Sequence, residues 1–244
     1  DVLVVDTGDF FSPYPNKLLN QYCLQIMDLI KYDAVTFGDQ EFISGIDTLR
    51  GIIDKKQMPF LAANAQFCVD DKLCMPMTPP YLIKQVAGLQ VGIIGIISPK
   101  VFTLFPKEKI KGLKVLDPAE TVKGFIESFR AKLDLIIVLS HSGYEQDDII
   151  EQSCPGINVI IGGHSQSLIK VPVKSNGALI VQAGEKGQNV GKLTLGLGKD
   201  KKIVSVQHQL IPLTKDIPGD PDVLKLIKQY NEEQGKKTTN LLIK

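Results

Sequence analysis

The sequence has no excess of charge of one sign and no long apolar run. Its 28 basic and 27 acidic residues give a formal net charge of +1, so no overall field favours binding to nucleic acid or to an anionic membrane. Two lysine-rich stretches, 107–114 and 199–202, are candidates for phosphate binding, but such charge runs are more typical of a solvated face. No apolar run reaches the roughly 18 residues that a membrane-spanning helix needs. We therefore expect neither a nucleic-acid partner nor a membrane span.

Cysteine is also scarce. The four cysteines include no C-x-x-C pair and no haem-attachment spacing, which excludes a disulfide framework and argues against electron transfer through haem or an iron–sulfur cluster. Cys68 and Cys74 flank a short polar loop and are compatible with a local disulfide in an oxidising compartment or with two free thiols. Cys23 and Cys154 are expected to be buried, inert thiols. The sequence contains no G-x-S-x-G elbow and no reactive-cysteine context, so serine or cysteine hydrolysis is not indicated.

The 244 residues, 43% hydrophobic and 23% charged, suffice for one large α/β domain. Apolar β-branched runs alternate with amphipathic segments in the first half, and a strand-rich meander follows residue 161. This order favours a layered sandwich with helices outside. The predicted strands are Val2–Val5, Ala34–Phe37, Phe60–Ala63, Tyr81–Val86, Val91–Ile97, Leu135–Leu139, Val159–Ile161, Val171–Val173, Ala178–Ala183, Gly191–Leu197 and Ile203–Pro212. The predicted helices are Leu18–Ile30, Ile46–Asp54, Ala119–Lys132 and Pro221–Gln234.

Two Asp-Pro pairs mark helix starts. Asp117 precedes Pro118 and Asp220 precedes Pro221, which places a capping carboxylate before proline at the first helical position. After the last predicted helix, residues 235–239 have the composition of a frayed or linking tail. We therefore divide the chain into a main domain, residues 1–217, and a C-terminal helix and tail, residues 218–244.

Polar residues cluster in four loops, each directly after a predicted strand. Two of the loops contain a Gly-Asp pair, at Asp9 and Asp39. The other two carry a histidine close to the strand end, at His141 and His164, and only three histidines exist in the chain. A metal-dependent phosphatase needs carboxylate, imidazole and amide groups on several such loops, converging on divalent ions. The third histidine, His208, lies in an alternating strand and is interpreted as surface.

These loops carry a family resemblance. Val5-Asp-Thr-Gly-Asp-Phe10, Gly38-Asp-Gln-Glu-Phe42, Leu139-Ser-His-Ser-Gly-Tyr144 and Gly163-His-Ser-Gln166 resemble, in order, the blocks of calcineurin-like metallophosphoesterases of the 5'-nucleotidase and UDP-sugar hydrolase branch. A Tyr-Asp-Ala before the second block and a Pro-Tyr-x-Ile strand extend the resemblance over nearly the whole chain. It implies an α/β (α+β) fold, a four-layer αββα sandwich, here lacking the family's first strand.

The resemblance also implies a set of metal ligands. Asp9 corresponds to the carboxylate that bridges two divalent ions, such as Mn²⁺ or Zn²⁺. His141 and His164 correspond to ligands of one ion, to which Asp39 also contributes. Gln166 corresponds to a ligand of the other ion. We therefore expect one well-formed metal site and a second, poorer one that holds only Asp9 and Gln166.

Three departures from the family qualify the expected chemistry. The family's Gly-Asn-His-Glu-Phe block places a ligating Asn and a leaving-group His where this chain has Asp39 and Gln40. Gln40 carries no ionisable proton. If the family's imidazole is a general acid, its replacement by Gln40 is expected to cost about 10²–10⁴-fold in rate. The family's opening Asp-x-His block and its separate C-terminal domain have no counterpart, so substrate identity does not carry over. The candidate catalytic residues are His141, Asp39 and Gln40.

The predicted function is metal-dependent hydrolysis of phosphate esters, 5'-nucleotidase-like, by a metal-activated water. Its substrate would be a small phosphorylated compound such as a nucleotide, which implies a role in nucleotide catabolism. Two alternatives stay open: a catalytically impaired metal-binding module of the same fold, and a hydrolase of a sulfur-linked ester. Relatives in this branch work outside the cytoplasm, which implies a periplasmic or extracellular location, although no signal sequence precedes the first strand.

Overall fold

The computed structural model describes residues 1–55, 58–70, 72–174 and 176–242, with side chains as far as residue 236. The helices are α1 (Lys17–Ile30), α2 (Ile46–Ile53), α3 (Pro118–Phe129), α4 (Tyr144–Ser153) and α5 (Pro221–Leu242). The strands are β1 (Val5–Asp6), β2 (Ala34–Val35), β3 (Ala65–Cys68), β4 (Cys74–Pro76), β5 (Tyr81–Val86), β6 (Leu89–Ile97), β7 (Leu113–Val115), β8 (Leu135–His141), β9 (Val159–Gly162), β10 (Val173–Lys174), β11 (Leu179–Val181), β12 (Asn189–Leu197) and β13 (Ile203–Pro212). Within these residues, every helix is too short or too polar to cross a membrane.

A six-stranded sheet forms the centre of the fold. Its order is β10-β11-β9-β8-β6-β5, with β6, β8, β9 and β11 parallel and the two edge strands antiparallel. Parallel strands buried on both faces need continuous apolar runs, and the isoleucine-rich β6 and β8 supply them. On one face, Ile94, Ile136 and Ile160 pack against Val122 of α3 and Ile150 of α4.

The opposite face of the sheet carries a second β layer. The parallel pair β1–β2 and the antiparallel hairpin β12–β13 supply it. Ile93 and Leu139 of the central sheet are buried there together with Ala34 of β2, and Leu197 and Ile203 of the hairpin pack on the same cluster. Residues of alternating position along β6 and β8 therefore fill two different cores, as the two-residue period of a strand requires.

Helices α1 and α2 cover the far side of this second layer. Leu24 and Met27 of α1 and Leu49 of α2 share a core with Val35 and Phe37. A small sheet, in the order β4-β3-β7, closes the same core. The succession of helices, sheet, sheet and helices confirms the predicted αββα sandwich.

The two predicted caps are present. Asp117 accepts a hydrogen bond from the backbone N–H of Glu120, and Asp220 accepts from those of Asp222 and Val223. The Cys68–Cys74 pair, left open by the sequence, forms a disulfide between β3 and β4.

Several predicted elements differ in the structure, among them the strand Val171–Val173, which is observed as Val173–Lys174. The first strand covers Val5–Asp6 rather than Val2–Val5, because Val4 donates its N–H to the Asp33 side chain and Val2 is exposed. The predicted strand at Phe60–Ala63 is reduced to one bridge between Phe60 and Val35. The tail predicted to fray, residues 235–239, is instead helical as part of α5. Helix α4 and the β3–β4–β7 sheet were not predicted.

Candidate metal centre

Four loops bring their polar side chains to one edge of the sandwich. Asp9 follows β1 and Asp39 follows β2 in one layer, whereas His141 ends β8 and His164 follows β9 in the other. The carboxyl ends of parallel neighbours meet at the same edge of a sheet, which is where α/β proteins place their sites. One ligand atom from each of the four residues lies within 4.8 Å of all the others. The cluster thus sits where the two β layers meet.

The distances within the cluster suit a shared cation. Nε2 of His141 lies 3.4 Å from Asp9 Oδ2 and 3.5 Å from Asp39 Oδ1. Nδ1 of His164 lies 3.2 Å from Asp39 Oδ1. Among the described residues, Asp39 Oδ1 and His141 Nε2 are buried atoms without a hydrogen-bond partner. Buried polar atoms are nearly always paired, so two unpaired atoms facing one point indicate a ligand between them.

The His141 ring is held in one orientation. Its Nδ1 lies 2.6 Å from the backbone oxygen of Thr7, and since a carbonyl only accepts, Nδ1 is the nitrogen that carries the proton. Nε2 therefore faces the two carboxylates. Thr7 is in turn fixed by a hydrogen bond from its hydroxyl to Gly162 O, 3.2 Å away. A metal-ligating histidine is usually oriented in this way by a partner on its other nitrogen.

The ionisable groups of the cluster attract positive charge. Burial lowers the pKa of His141, but the neighbouring Asp39 and Asp9 carboxylates outweigh it and raise the pKa to about 10. For Asp39, burial opposes ionisation, yet the two imidazoles hold the pKa of the carboxyl well below its usual range. The carboxylates of the cluster therefore stay ionised and hold a proton on the imidazole between them. A divalent ion can take the place of that proton.

The backbone makes room for this cluster. A Cβ atom at Gly38 would lie 2.1 Å from Asp9 Oδ1 and 2.5 Å from His141 Cε1, so only glycine fits there. Asp9 and His164 adopt left-handed backbone conformations, with φ of 62° and 66°. Such strain in residues with side chains is concentrated at functional sites.

Gln40 contacts the predicted bridging carboxylate. Its backbone N–H donates to Asp9 Oδ1 over 3.0 Å, and its side-chain Nε2 donates to Asp9 Oδ2 over 3.1 Å. The amide thus orients Asp9 and lies within the site. A side-chain amide does not ionise near neutral pH, so Gln40 can orient Asp9 but cannot act as its acid or base.

Sequence reasoning missed the role of Glu41. This side chain is 1% exposed and accepts hydrogen bonds from the backbone N–H groups of Gly38, Asp9 and Phe11. It ties the loop after β1 to the loop after β2. Burial, together with the charge of Asp9, raises its pKa to about 7 against the effect of those three bonds. Asp39 and Gln40 beside it are polar as well, so nothing in the sequence marked Glu41 as buried.

Gln166 lies outside the four-residue cluster. It is exposed, with a left-handed φ of 56°, and it lines a cleft of about 410 Å³ together with Ser165, Leu168 and Glu185. His208 lies on β13, with Nδ1 3.3 Å from the backbone oxygen of Lys170. The structure thus brings together Asp9, Asp39, His141, His164 and Gln40, and it does not bring Gln166 into that group.

Comparison with known proteins finds similar sequences and folds over most of the chain. An apyrase from Tabanus yao is 29% identical over 231 residues, covering 84% of this chain and 40% of its own length. The solved 5'-nucleotidase precursor of Thermus thermophilus superposes with a TM-score of 0.82 at 26% identity, covering 96% of this chain and 50% of its own. No protein-family model matches the chain.

A further solved structure shows how widely the fold is used. The sulfate thiohydrolase SoxB of Thermus thermophilus has a TM-score of 0.85 at 22% identity, over 96% of this chain and 43% of its own length. This likeness concerns the fold alone. The chain spans half or less of the length of each of these three proteins. The resemblance predicted from the four loops is confirmed: the chain is a homologue of the 5'-nucleotidases and has the calcineurin-like phosphoesterase fold of their N-terminal domain.

Proposed function

We propose that this protein hydrolyses phosphate esters of the nucleotide type, with a divalent metal ion held by Asp9, Asp39, His141 and His164. The observation that carries the proposal is the convergence of these four ligand atoms within 4.8 Å, two of them buried without a partner. The names of the relatives, an apyrase and a 5'-nucleotidase, support the substrate class.

The donor set fits a divalent transition metal. Two carboxylates and two imidazoles are the ligand types of zinc-like or manganese-like sites. When bound, such an ion supplies charge that polarises a phosphoryl oxygen and acidifies a water molecule. A second ion site, with Asp9 and Gln166 as ligands, is part of the proposal. Its support is the position of Gln166 two residues after His164, on an exposed cleft.

Neighbouring residues fix the orientation of the ligand side chains and loops. Thr7 keeps Nε2 of His141 directed at Asp9 and Asp39, so this ligand needs no reorientation. Glu41 fixes the backbone of the two aspartate loops. The side chain of His164 is 37% exposed, which leaves the cluster open to a substrate on that side. A preorganised set of this kind avoids the cost of rearrangement during the reaction.

Gln40 supports a second candidate, a metal-binding module with little turnover. Its amide donates to Asp9 where a proton-donating group would be needed to assist a leaving group. Under this candidate the metal centre is intact and the chemistry is slow.

A periplasmic or extracellular location is part of the proposal as well. The Cys68–Cys74 disulfide supports it, because disulfides persist in oxidising compartments.

The test combines metal content with turnover. We expect about one tightly bound Mn²⁺ or Zn²⁺ per chain by elemental analysis, and hydrolysis of an aryl phosphate and of a nucleoside monophosphate. Asp39→Asn and His141→Gln should lower metal content, whereas His208→Gln should not. Metal without turnover on these substrates or on a thiosulfonate would favour the binding module. Turnover of the thiosulfonate alone would favour a sulfur-linked substrate, and absence of bound metal would overturn the ligand assignment.

A further inference from the structure

The loop after β9 holds an unfavourable backbone conformation. His164 and Gln166 both have positive φ, 66° and 56°, and residues with a Cβ seldom adopt it without help from their surroundings. Between them lies Ser165, whose backbone N–H donates to Gly163 O over 2.8 Å. That bond lies within the loop and does not connect the loop to the rest of the protein.

The Ser165 hydroxyl supplies that tie. It accepts from the backbone N–H of Tyr144 over 3.0 Å and donates to Oε1 of Gln182 over 3.0 Å. Ser167 Oγ lies 3.0 Å away. A hydroxyl has one proton to donate and two lone pairs. Since the proton of Ser165 is directed at Gln182, Ser167 is the donor in the third bond, and the hydroxyl is fully used.

The two anchors of this hydroxyl lie in or directly beside regular secondary structure. Gln182 is 4% exposed and directly follows β11, and its backbone oxygen accepts from Ile169. Tyr144 is the first residue of α4, whose N-cap, Gly143, makes no side-chain cap bond. The first N–H groups of a helix need an outside acceptor. Ser165 provides it from a different loop, so it joins the start of α4 to the end of β11.

His164 depends on this tie more than His141 does. The side chain of His141 is 1% exposed, and its ring bonds Thr7, whereas the side chain of His164 is 37% exposed. The His164 ring lies against the backbone of Gly143, where a Cβ would stand 3.6 Å from His164 Cδ2. Its Nδ1 reaches Asp39 Oδ1 over 3.2 Å. The position of its backbone therefore sets the position of this nitrogen.

We propose that Ser165 is a positioning residue for the metal centre, which holds His164 Nδ1 in ligating position by joining its loop to Tyr144 and Gln182. The proposal rests on the proposed function, in which His164 is a metal ligand. Ser165 acts through His164, because its own hydroxyl is engaged by Tyr144, Ser167 and Gln182. Outer partners of metal ligands commonly change metal affinity by about 10–100-fold.

A double-mutant cycle on the full chain tests this. The dissociation constant of Mn²⁺ and the visible absorption of the Co²⁺-loaded protein are measured for Ser165→Ala, His164→Ala and the double variant. We expect Ser165→Ala to weaken Mn²⁺ binding by about tenfold and to alter the Co²⁺ spectrum, which reports ligand geometry. In the His164→Ala background, Ser165→Ala should change neither, because the residue through which it acts is gone.

Two further variants separate positioning from general damage. Ser165→Thr keeps the hydroxyl and should retain Mn²⁺ affinity within about threefold. Ser153→Ala removes a hydroxyl from the other end of α4, where it bonds Ile149 O, and should leave affinity and spectrum unchanged.

The outcomes distinguish this proposal from the proposed function. If His164→Ala leaves Mn²⁺ binding intact, the metal centre itself is wrongly assigned. If His164→Ala weakens binding and Ser165→Ala does not, or if the two losses add in full, Ser165 is no positioning residue for His164 while the metal centre stands.

Discussion

Gln40 is the residue in this site whose chemistry fits the proposed reaction least. Its amide donates to Asp9 Oδ2 over 3.1 Å, a contact that orients the carboxylate but transfers no proton. An imidazole at this position can reach the same oxygen and can also protonate a leaving group. Substitution of this side chain therefore tests the proposed reaction directly.

We predict that Gln40→His raises kcat on a nucleoside monophosphate, whose basic alkoxide leaving group needs a proton, by on the order of 10²-fold, the lower range for general acid catalysis. Steady-state kinetics with saturating Mn²⁺ measures it. Gln40→Asn keeps an amide and should give no gain. An equal increase in both variants, or none in either, would show that proton donation at this position does not limit the rate.

Asp147 makes the stability of the fold depend on pH. It is buried on α4, and burial raises its pKa from 3.8 to about 7, although the Ser140 hydroxyl and the charge of His141 act the other way. Because the folded pKa lies above the unfolded one, the folded state binds the extra proton between these values. Stability is then fully present at low pH and is lost as pH rises toward 7.

We predict that Asp147→Asn flattens this dependence. In the metal-free protein, the free energy of unfolding should fall between pH 4 and 7 with a contribution from Asp147 of up to about 1.4 kcal/mol per pH unit. Urea unfolding at several pH values measures the slope with and without the substitution. Asp148→Asn, at a side chain that bonds Gln152 on the same helix, controls for the loss of a charge. A slope unchanged by Asp147→Asn would contradict the prediction.

At this scale the sequence predicted the positions that chemistry requires and missed the side chains that support them. His141 and His164 stand out because each follows a buried strand in a chain with three histidines, and the structure brings both to one point. Their role as ligands stays a prediction. Glu41 and Ser165 carry no such signal, since their value lies in bonds to backbone groups far along the chain.

Among the elements, α5 contacts α1 through an aromatic pair and a hydrogen bond. Tyr230 of α5 packs edge-on against Tyr22 of α1, with ring centroids 5.7 Å apart, and the Tyr22 hydroxyl donates to Glu233 over 2.8 Å. These contacts lie on the helical side of the sandwich formed by α1. They stabilise the helix without reaching the loops that carry the metal ligands.

We predict that Tyr230→Ala lowers Tm by roughly 3–5 °C, from the loss of an aromatic pair and its buried area. Mn²⁺ affinity should not change. Thermal unfolding by circular dichroism and a Mn²⁺ titration measure the two effects. Tyr14→Ala, at a side chain 77% exposed, is the matched control and should leave Tm within about 1 °C. A loss of Mn²⁺ affinity in Tyr230→Ala would contradict the separation of this helix from the site.

Element type followed from the sequence wherever the pattern was long enough. The runs at β6 and β8 and the capped helix α3 were predicted close to their observed bounds. Strands β3 and β7 have four and three residues, too few for a period to be recognised. Helix α4 was missed because two of its three buried residues are the carboxylates Asp147 and Glu151, so its inner face does not read as apolar.

For the whole molecule, the candidate metal centre lies between the two β layers. Asp9 and Asp39 extend from β1 and β2, and His141 and His164 from β8 and β9 of the central sheet. An ion bound by all four would join the layers, and unfolding either layer would release it. Since the unfolded chain cannot offer this arrangement, metal binding free energy becomes folding free energy.

We therefore predict that Mn²⁺ at about 100 times its dissociation constant stabilises the protein by about 2.7 kcal/mol, which corresponds to a rise in Tm of roughly 5–10 °C for a chain of this size. Differential scanning calorimetry with chelator and with added Mn²⁺ measures the shift. The double variant Asp39→Asn/His164→Ala removes one ligand from each layer and should abolish it. Because the same double variant still offers exposed carboxylates elsewhere, a Tm rise that survives in it would place the stabilising ion outside the junction of the two layers.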